Sequence, residues 1–147
     1  MFDKVTKLLG LKEPERIDPQ YNLHLSTAAL LVYVSCADGE FSPQERKQLI
    51  DCLIEQFSLS TETAEHILSE AETQQNDATC LYQFTRAITE QLDQEGRQDI
   101  VRLLWRVALA DNHIDNFEAN MLAKVAGLLG VSTRDRVILK QEVEAAL

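Results

Sequence analysis

Residues 28–45 read AALLVYVSCADGEFSPQE, and residues 101–118 read VRLLWRVALADNHIDNFE. A shift of 73 positions lays the second stretch over the first. Leu30-Leu31-Val32-Tyr33-Val34 falls on Leu103-Leu104-Trp105-Arg106-Val107, and Ala37-Asp38-Gly39 falls on Ala110-Asp111-Asn112. Each copy has an apolar run, an Ala-Asp-(Gly or Asn) turn, an apolar residue, a capping residue and a Glu three positions later. Gly39 and Asn112 are residue types that tolerate left-handed backbone, as a tight helix-to-helix turn requires. Ser42 with Glu45, and Asp115 with Glu118, have the spacing of helix-opening capping boxes. Both stretches therefore predict helix, tight turn, helix.

The pattern extends outward in both directions. Asp18-Pro19 is a cap followed by a proline suited to a first turn, and Leu23 to Ala37 carries no charge. A helix from there to about Ala37 should lie centrally, because it is apolar on nearly every side. Ser42-Pro43 opens a helix carrying Leu49, Ile50, Leu53, Ile54 and Phe57 inward. Ser60 caps an acidic helix to about Gln75, and Asp77 a helix carrying Leu81, Phe84, Ile88 and Leu92. Asp93 to Gly96 reads as a break. A helix to about Ala110 follows, then one ending at Gly130, and Ser132 caps the last. Phe57-Ser58-Leu59-Ser60 matches Leu129-Gly130-Val131-Ser132 after a one-residue slip.

The expectation is an all-α fold, a single bundle of about seven helices built from a pseudo-twofold repeat of helix–turn–helix units. That domain spans residues 19–147. Residues 1–18 form a short helix presenting Phe2, Val5, Leu8 and Leu9, followed by a charged linker containing Pro14.

Composition narrows the function. The chain of 147 residues has 24 Asp plus Glu against 14 Lys plus Arg, a formal charge of −10. Phosphate-backbone binding needs clustered Lys and Arg, so nucleic acid is excluded as a first reading. The longest nearly apolar stretch, Ala28 to Ala37, is half the length of a bilayer span, so direct membrane insertion is not expected. The first residues lack a signal-peptide pattern, so the cytoplasm is the expected location. Cys36, Cys52 and Cys80 include no CxxC pair and read as buried reduced thiols.

The doubled segments Ala-Asp-Gly-Glu-Phe-Ser-Pro-Gln-Glu and Ala-Asp-Asn-His-Ile-Asp-Asn-Phe-Glu, with Leu128-Leu129-Gly130-Val131 after the second, resemble the TerB family over roughly residues 23–147. That family is named for tellurite resistance, and a related domain stands at the N-terminus of a membrane-anchored DnaJ-type cochaperone. The resemblance implies a compact helical domain linked to bacterial stress responses, with acidic loop residues suspected of binding metal. Asn112-His113 departs from the usual Gly-Glu of the motif.

The acidic turns have chemistry of their own. Asp38 to Glu45 is similar to the second half of an EF-hand loop, in which Gly makes the turn and Glu closes on calcium. The missing first and third ligands would fall on Val34 and Cys36, or on Val107 and Leu109 in the second copy. None of these offers a carboxylate, so a complete EF-hand is excluded. Paired half-loops could still join Asp38, Glu45, Asp111 and Glu118 in one oxygen-rich divalent-cation site, with Glu40 and Asp115 adding to it. Calcium or magnesium suits such a set, and His113 would shift preference towards zinc. The alternative is structural: Asp38 and Asp111 satisfy turn amides while Glu45 and Glu118 complete capping boxes.

Other constellations carry less. His24, His66 and His113 form no helical ligand pair. Trp105 aligns with Val32 and reads as core, Asp99 and Asp111 could orient a histidine, and Arg102 with Arg106 reads as a solvated helix face or a contact for an acidic partner. The charge imbalance is local: residues 37–95 hold thirteen acids and three bases, whereas the flanking segments balance. An acidic face including Glu62, Glu65 and Glu70 could meet a basic protein partner, or could serve only as a solvated surface. The expected function is a non-enzymatic binding or scaffolding module with no other cofactor. The alternatives are a metal-dependent hydrolase using the same carboxylates and a regulator of a chaperone or membrane complex.

Overall fold

Asp18 opens the described chain: its Oδ1 accepts from the Gln20 amide at 3.2 Å, and its carbonyl accepts from Asn22 at 2.9 Å. The computed structural model describes residues 18–35, 42–73, 78–110 and 116–146. Among these residues there are seven helices and no strand: α1 (Pro19–Ser35), α2 (Pro43–Phe57), α3 (Thr61–Thr73), α4 (Ala78–Gln91), α5 (Gln94–Leu109), α6 (Asn116–Leu128) and α7 (Thr133–Ala146). The all-helical bundle expected from the sequence is the fold observed. The expected N-terminal helix and its linker to Arg16 and Ile17 fall outside the described residues, as do Cys36 and the caps at Asp77 and Asp115.

The uncharged run explains the centre. In α1, Leu25, Ala28, Ala29, Leu30, Leu31, Val32 and Val34 are all buried, and the helix packs against α2, α3, α4, α5 and α6. A helix with partners on this many sides has no polar face to present, which is why its sequence lacks one. Leu49, Leu53, Ile67, Leu68, Ile88, Ile100, Leu103, Leu104, Leu122 and Leu129 are the other largest fully buried side chains. Each such side chain gains about 1.5–3 kcal/mol by leaving water. The inward residues expected on α2 and α4 are all in or against this core, with Ile54, Phe57, Phe84 and Leu92 only partly buried.

Helix boundaries follow local chemistry. Ser42, Ser60 and Ser132 each accept, through Oγ, the amide three residues on, at 3.2, 3.2 and 3.1 Å. At the other end, Val131 N–H reaches back to the Ala126 carbonyl and Gly130 N–H to that of Gly127, with Gly130 left-handed at φ 77°. This is the Schellman closure that glycine favours. One boundary differs in extent from expectation. The break expected over Asp93 to Gly96 is only Leu92 and Asp93: Asp93 is the N-cap, its Oδ1 accepts the Gly96 amide at 2.9 Å, and α5 starts at Gln94. A Cβ on Gly96 would stand 3.0 Å from Leu92 Cβ, so close approach of the incoming chain accounts for the glycine.

Adding 73 to the bounds of α1, α2 and α3 gives 92–108, 116–130 and 134–146, within two residues of α5, α6 and α7. The packing partners repeat as well. α1 lies on α2 and α3, and α2 on α3; α5 lies on α6 and α7, and α6 on α7. Contacts of α1 with α5 and α6, and of α2 with α5, join the two sets.

Candidate functional site

Where the two sets of helices meet, the ends of α1 and α5 and the starts of α2 and α6 enclose a cavity of about 430 Å3. Val34 and Ser35 come from α1, Gln44, Glu45 and Gln48 from α2, Val107 and Ala108 from α5, and Glu118 from α6. Three pairs 73 residues apart stand in this one wall: Val34 with Val107, Ser35 with Ala108, and Glu45 with Glu118. Of the four carboxylates expected to join in one site, Glu45 and Glu118 line this space, and Asp38 and Asp111 lie outside the described residues. The described lining residues include no Lys, Arg or His.

Local bonds explain the placing of Glu45. The Ser42 hydroxyl accepts from the Glu45 amide at 3.2 Å and donates to Glu45 Oε1 at 3.4 Å, so the cap holds the carboxylate at the mouth of α2. The neighbouring Arg46 does not neutralise it. Its Nε donates to Glu72 Oε1 at 2.9 Å and its Nη2 to Ser69 Oγ at 2.9 Å, both on α3. Glu118 is half-buried and engaged in an interaction of its own.

Ser35 is the unexpected member of this wall. It is 7% exposed, and its Oγ is buried without a hydrogen-bond partner. Leaving a buried hydroxyl unsatisfied costs about 1–3 kcal/mol. Sequence reading did not single out Ser35; its one signal is a serine where the second copy has Ala108.

Of the metal ligands suggested by sequence, Asp38, Glu40, Asp111, His113 and Asp115 lie outside the described residues. Among the described residues no group of three or more His, Cys, Asp or Glu is arranged to hold a metal ion. What the described wall offers is oxygen: two carboxylates, the hydroxyls of Ser35 and Ser42, and the amides of Gln44 and Gln48.

A second cavity of about 480 Å3 is lined by Gln56, Asp99, Arg102, Leu103, Arg106, Glu142, Val143 and Ala146. Its charges are already paired. Arg102 donates to Asp99 and, through Nε at 2.9 Å, to Glu142, while Arg106 Nη2 meets Glu55 at 2.7 Å. Expected as a solvated face, these two arginines instead tie α5 to α7 and to α2. Hydrogen bonding to Glu142 and Glu55 holds each guanidinium above its ordinary pKa. Asp99 is thereby committed to Arg102 and orients no histidine among the described residues.

The remaining candidates are structural. Trp105 is buried, as expected, with Nε1 donating to the Arg136 carbonyl at 3.1 Å and Lys140 Nζ 5.4 Å from the ring centroid. Cys52 is a buried free thiol whose pKa burial pushes up, against the opposing pull of Arg106. His24 is buried with its ring centroid 4.2 Å from that of Phe57. On the acidic helix, Glu62 and Glu65 are exposed, but Glu70 accepts the Tyr21 hydroxyl at 2.9 Å and so belongs to the α1–α3 contact. Among the described residues no helix is long and apolar enough to cross a membrane. No curated protein and no solved structure matches the chain. The family model described as tellurite resistance protein TerB matches residues 24–141, well over half of the chain. The chain belongs to the TerB family.

Proposed function

We propose that this protein is a non-enzymatic binding module of the TerB family, acting in the cytoplasm in response to stress, and that it takes a positively charged ligand between Glu45 and Glu118. The observation that carries this reading is the shared cavity: two carboxylates from corresponding positions line one space with no basic residue among its described lining. A divalent cation is the simplest such ligand. Glu45, Glu118 and the oxygens of Ser35 and Ser42 would supply part of its shell, and Asp38, Glu40, Asp111, His113 and Asp115 of the two acidic turns the rest. The exposed Glu62 and Glu65 on α3 then form a separate acidic surface for a basic protein partner.

Melting temperature measured with calcium, magnesium, manganese and zinc tests the reading. A ligand that binds only the folded chain raises it by mass action. A rise that is lost in Glu45→Gln, Glu118→Gln, Asp38→Ala or Asp111→Ala supports a metal site. No rise with any of the four ions overturns it.

A further inference from the structure

The two sets of helices differ in one place. α1 packs against α2, α3, α5 and α6, and the 73-residue correspondence returns each of these on α5, as contacts with α6, α7, α1 and α2. The remaining partner of α1 is α4, which also touches α6. Its counterpart would lie against α5 and α2, and no helix among the described residues stands there. The second cavity, of about 480 Å3, does: it is lined by Asp99, Arg102, Leu103 and Arg106 of α5, Gln56 of α2 and the end of α7. Ser26 and Ala29 are buried on α1, whereas their counterparts Asp99 and Arg102 are only half-buried at this groove.

Residues 1–9 carry a sequence suited to this place. Met1-Phe2-Asp3-Lys4-Val5-Thr6-Lys7-Leu8-Leu9 lies over Cys80-Leu81-Tyr82-Gln83-Phe84-Thr85-Arg86-Ala87-Ile88 of α4. Leu81, Thr85, Ala87 and Ile88 are buried and Phe84 is half-buried; opposite them stand Phe2, Thr6, Leu8, Leu9 and Val5. The exposed Tyr82, Gln83 and Arg86 stand opposite Asp3, Lys4 and Lys7. Chain order agrees as well. α4 precedes α5 and packs on α1, so by the same correspondence the segment preceding α1 is the one to pack on α5. The start of α1 already lies beside the groove, since His24 packs on Phe57, the neighbour of Gln56. Residues 10–17 can span roughly 26 Å, about twice the diameter of a helix.

We propose that residues 1–9 dock as an amphipathic helix in the groove between α2, α5 and α7, taking there the place that α4 holds on α1. Phe2, Val5, Leu8 and Leu9 cover Ala146 and the side-chain stems of Gln56, Arg102 and Arg106, above Leu103 and Val143. The guanidinium groups are already met by Asp99, Glu142 and Glu55, so covering their stems strands no charge. The tether makes the docking intramolecular, with an effective concentration on the order of millimolar. This inference is independent of the cation reading of the first cavity.

Nuclear Overhauser contacts in the full chain, measured in dilute monomeric solution, test it. The methyl groups of Val5, Leu8 and Leu9 should show contacts to Val143 and Ala146, an observation that needs no variant to fold. Val5→Asp and Leu9→Asp should each abolish these contacts and move the Gln56, Leu103 and Ala146 resonances to one common set of open-groove shifts. Lys4→Gln, opposite the exposed Gln83, should leave the contacts intact. From the other side, Ala146→Asp alters an exposed residue and should weaken the same contacts while resonances of the central Leu30 and Leu104 stay in place. Absence of any contact between residues 1–9 and the groove overturns the inference. So do contacts found only between differently labelled copies of the chain, ordering of residues 1–9 only on adding phosphatidylglycerol vesicles, or a Lys4→Gln variant as disruptive as Leu9→Asp.

Discussion

Ser58 and Gly130 hold the same left-handed backbone, φ 54° and φ 77°, just past the ends of α2 and α6. They stand opposite each other in the one-residue-slipped match between the two halves of the chain. A residue with a Cβ pays about 1–2 kcal/mol for that conformation, and glycine pays almost nothing. At Ser58 the cost is met in exchange for turning the chain towards the cap of α3, with Ser58 N–H and Leu59 N–H both directed at the Ile54 carbonyl.

Ser58→Gly should therefore stabilise the protein. The relief of backbone strain exceeds the greater entropy of glycine in the unfolded chain, leaving a net gain of about 0.5–1 kcal/mol. Gly130→Ala should cost about 1 kcal/mol for the reverse reason, since Arg97 Nη1 at 3.6 Å from the new Cβ presents no clash of its own. Urea unfolding of both variants checks the pair; a Ser58→Gly variant no more stable than the parent would contradict the strain.

Ser26→Ala is expected to raise stability by about 1–2 kcal/mol, through loss of an unpartnered hydroxyl and gain of helix propensity. For a domain of this size that is a melting-temperature rise of about 2–4 °C per kcal/mol. A fall instead would mean that the Ser26 hydroxyl has a partner in solution, such as a buried water, and differential scanning calorimetry distinguishes the two.

Stability should fall on mild acidification because of His24. Burial holds its imidazole below the usual histidine pKa of 6.5, against the opposing pull of Asp18. The unfolded chain then binds the proton more readily than the folded one, so the stabilisation is complete above 6.5 and declines as pH drops through and below that value. His24→Phe keeps a ring against Phe57 and removes the titration. The variant should show a flatter dependence of melting temperature on pH between about 7.5 and 5 than the parent; identical slopes would place the acid sensitivity elsewhere.

Much of this fold can be read from single residues. Ser42, Ser60 and Ser132 cap where their spacing to apolar runs says they should, because a cap bond spans three residues and its logic is local. The central place of α1 is legible because an uncharged helix has no side to turn to water. Contacts that span the fold are not legible in this way. Arg97 reaches back from α5 to the Thr89 and Leu92 carbonyls at 2.8 and 3.1 Å, closing the end of α4, and its sequence neighbourhood carries no sign of it. Arg106 finds Glu55 fifty-one positions away. At the site, Glu45 and Glu118 occupy corresponding positions of the 73-residue repeat and line one cavity, whereas nothing in the repeat marks Ser35. Among several small polar residues on a buried helix, only packing decides which one is left without a partner at a cavity.

The same distinction divides the acidic helix. Glu70 accepts from Tyr21, whose phenol burial and the adjacent carboxylate push above its ordinary pKa, so this carboxylate ties α1 to α3 rather than facing a partner. Glu62 and Glu65 have no such duty among the described hydrogen bonds and are exposed. Glu70→Gln should destabilise the fold by about 1 kcal/mol, because a charge-assisted bond becomes a neutral one. Paired Glu62→Gln and Glu65→Gln should leave stability within about 0.5 kcal/mol of the parent, as exposed surface changes do. If α3 meets a basic partner, the double variant lowers the association rate and flattens its dependence on salt, since rim charges act mainly through encounter. Chemical denaturation of the two variants side by side separates the structural carboxylate from the surface ones. Equal destabilisation by both would show that the whole acidic row is structural.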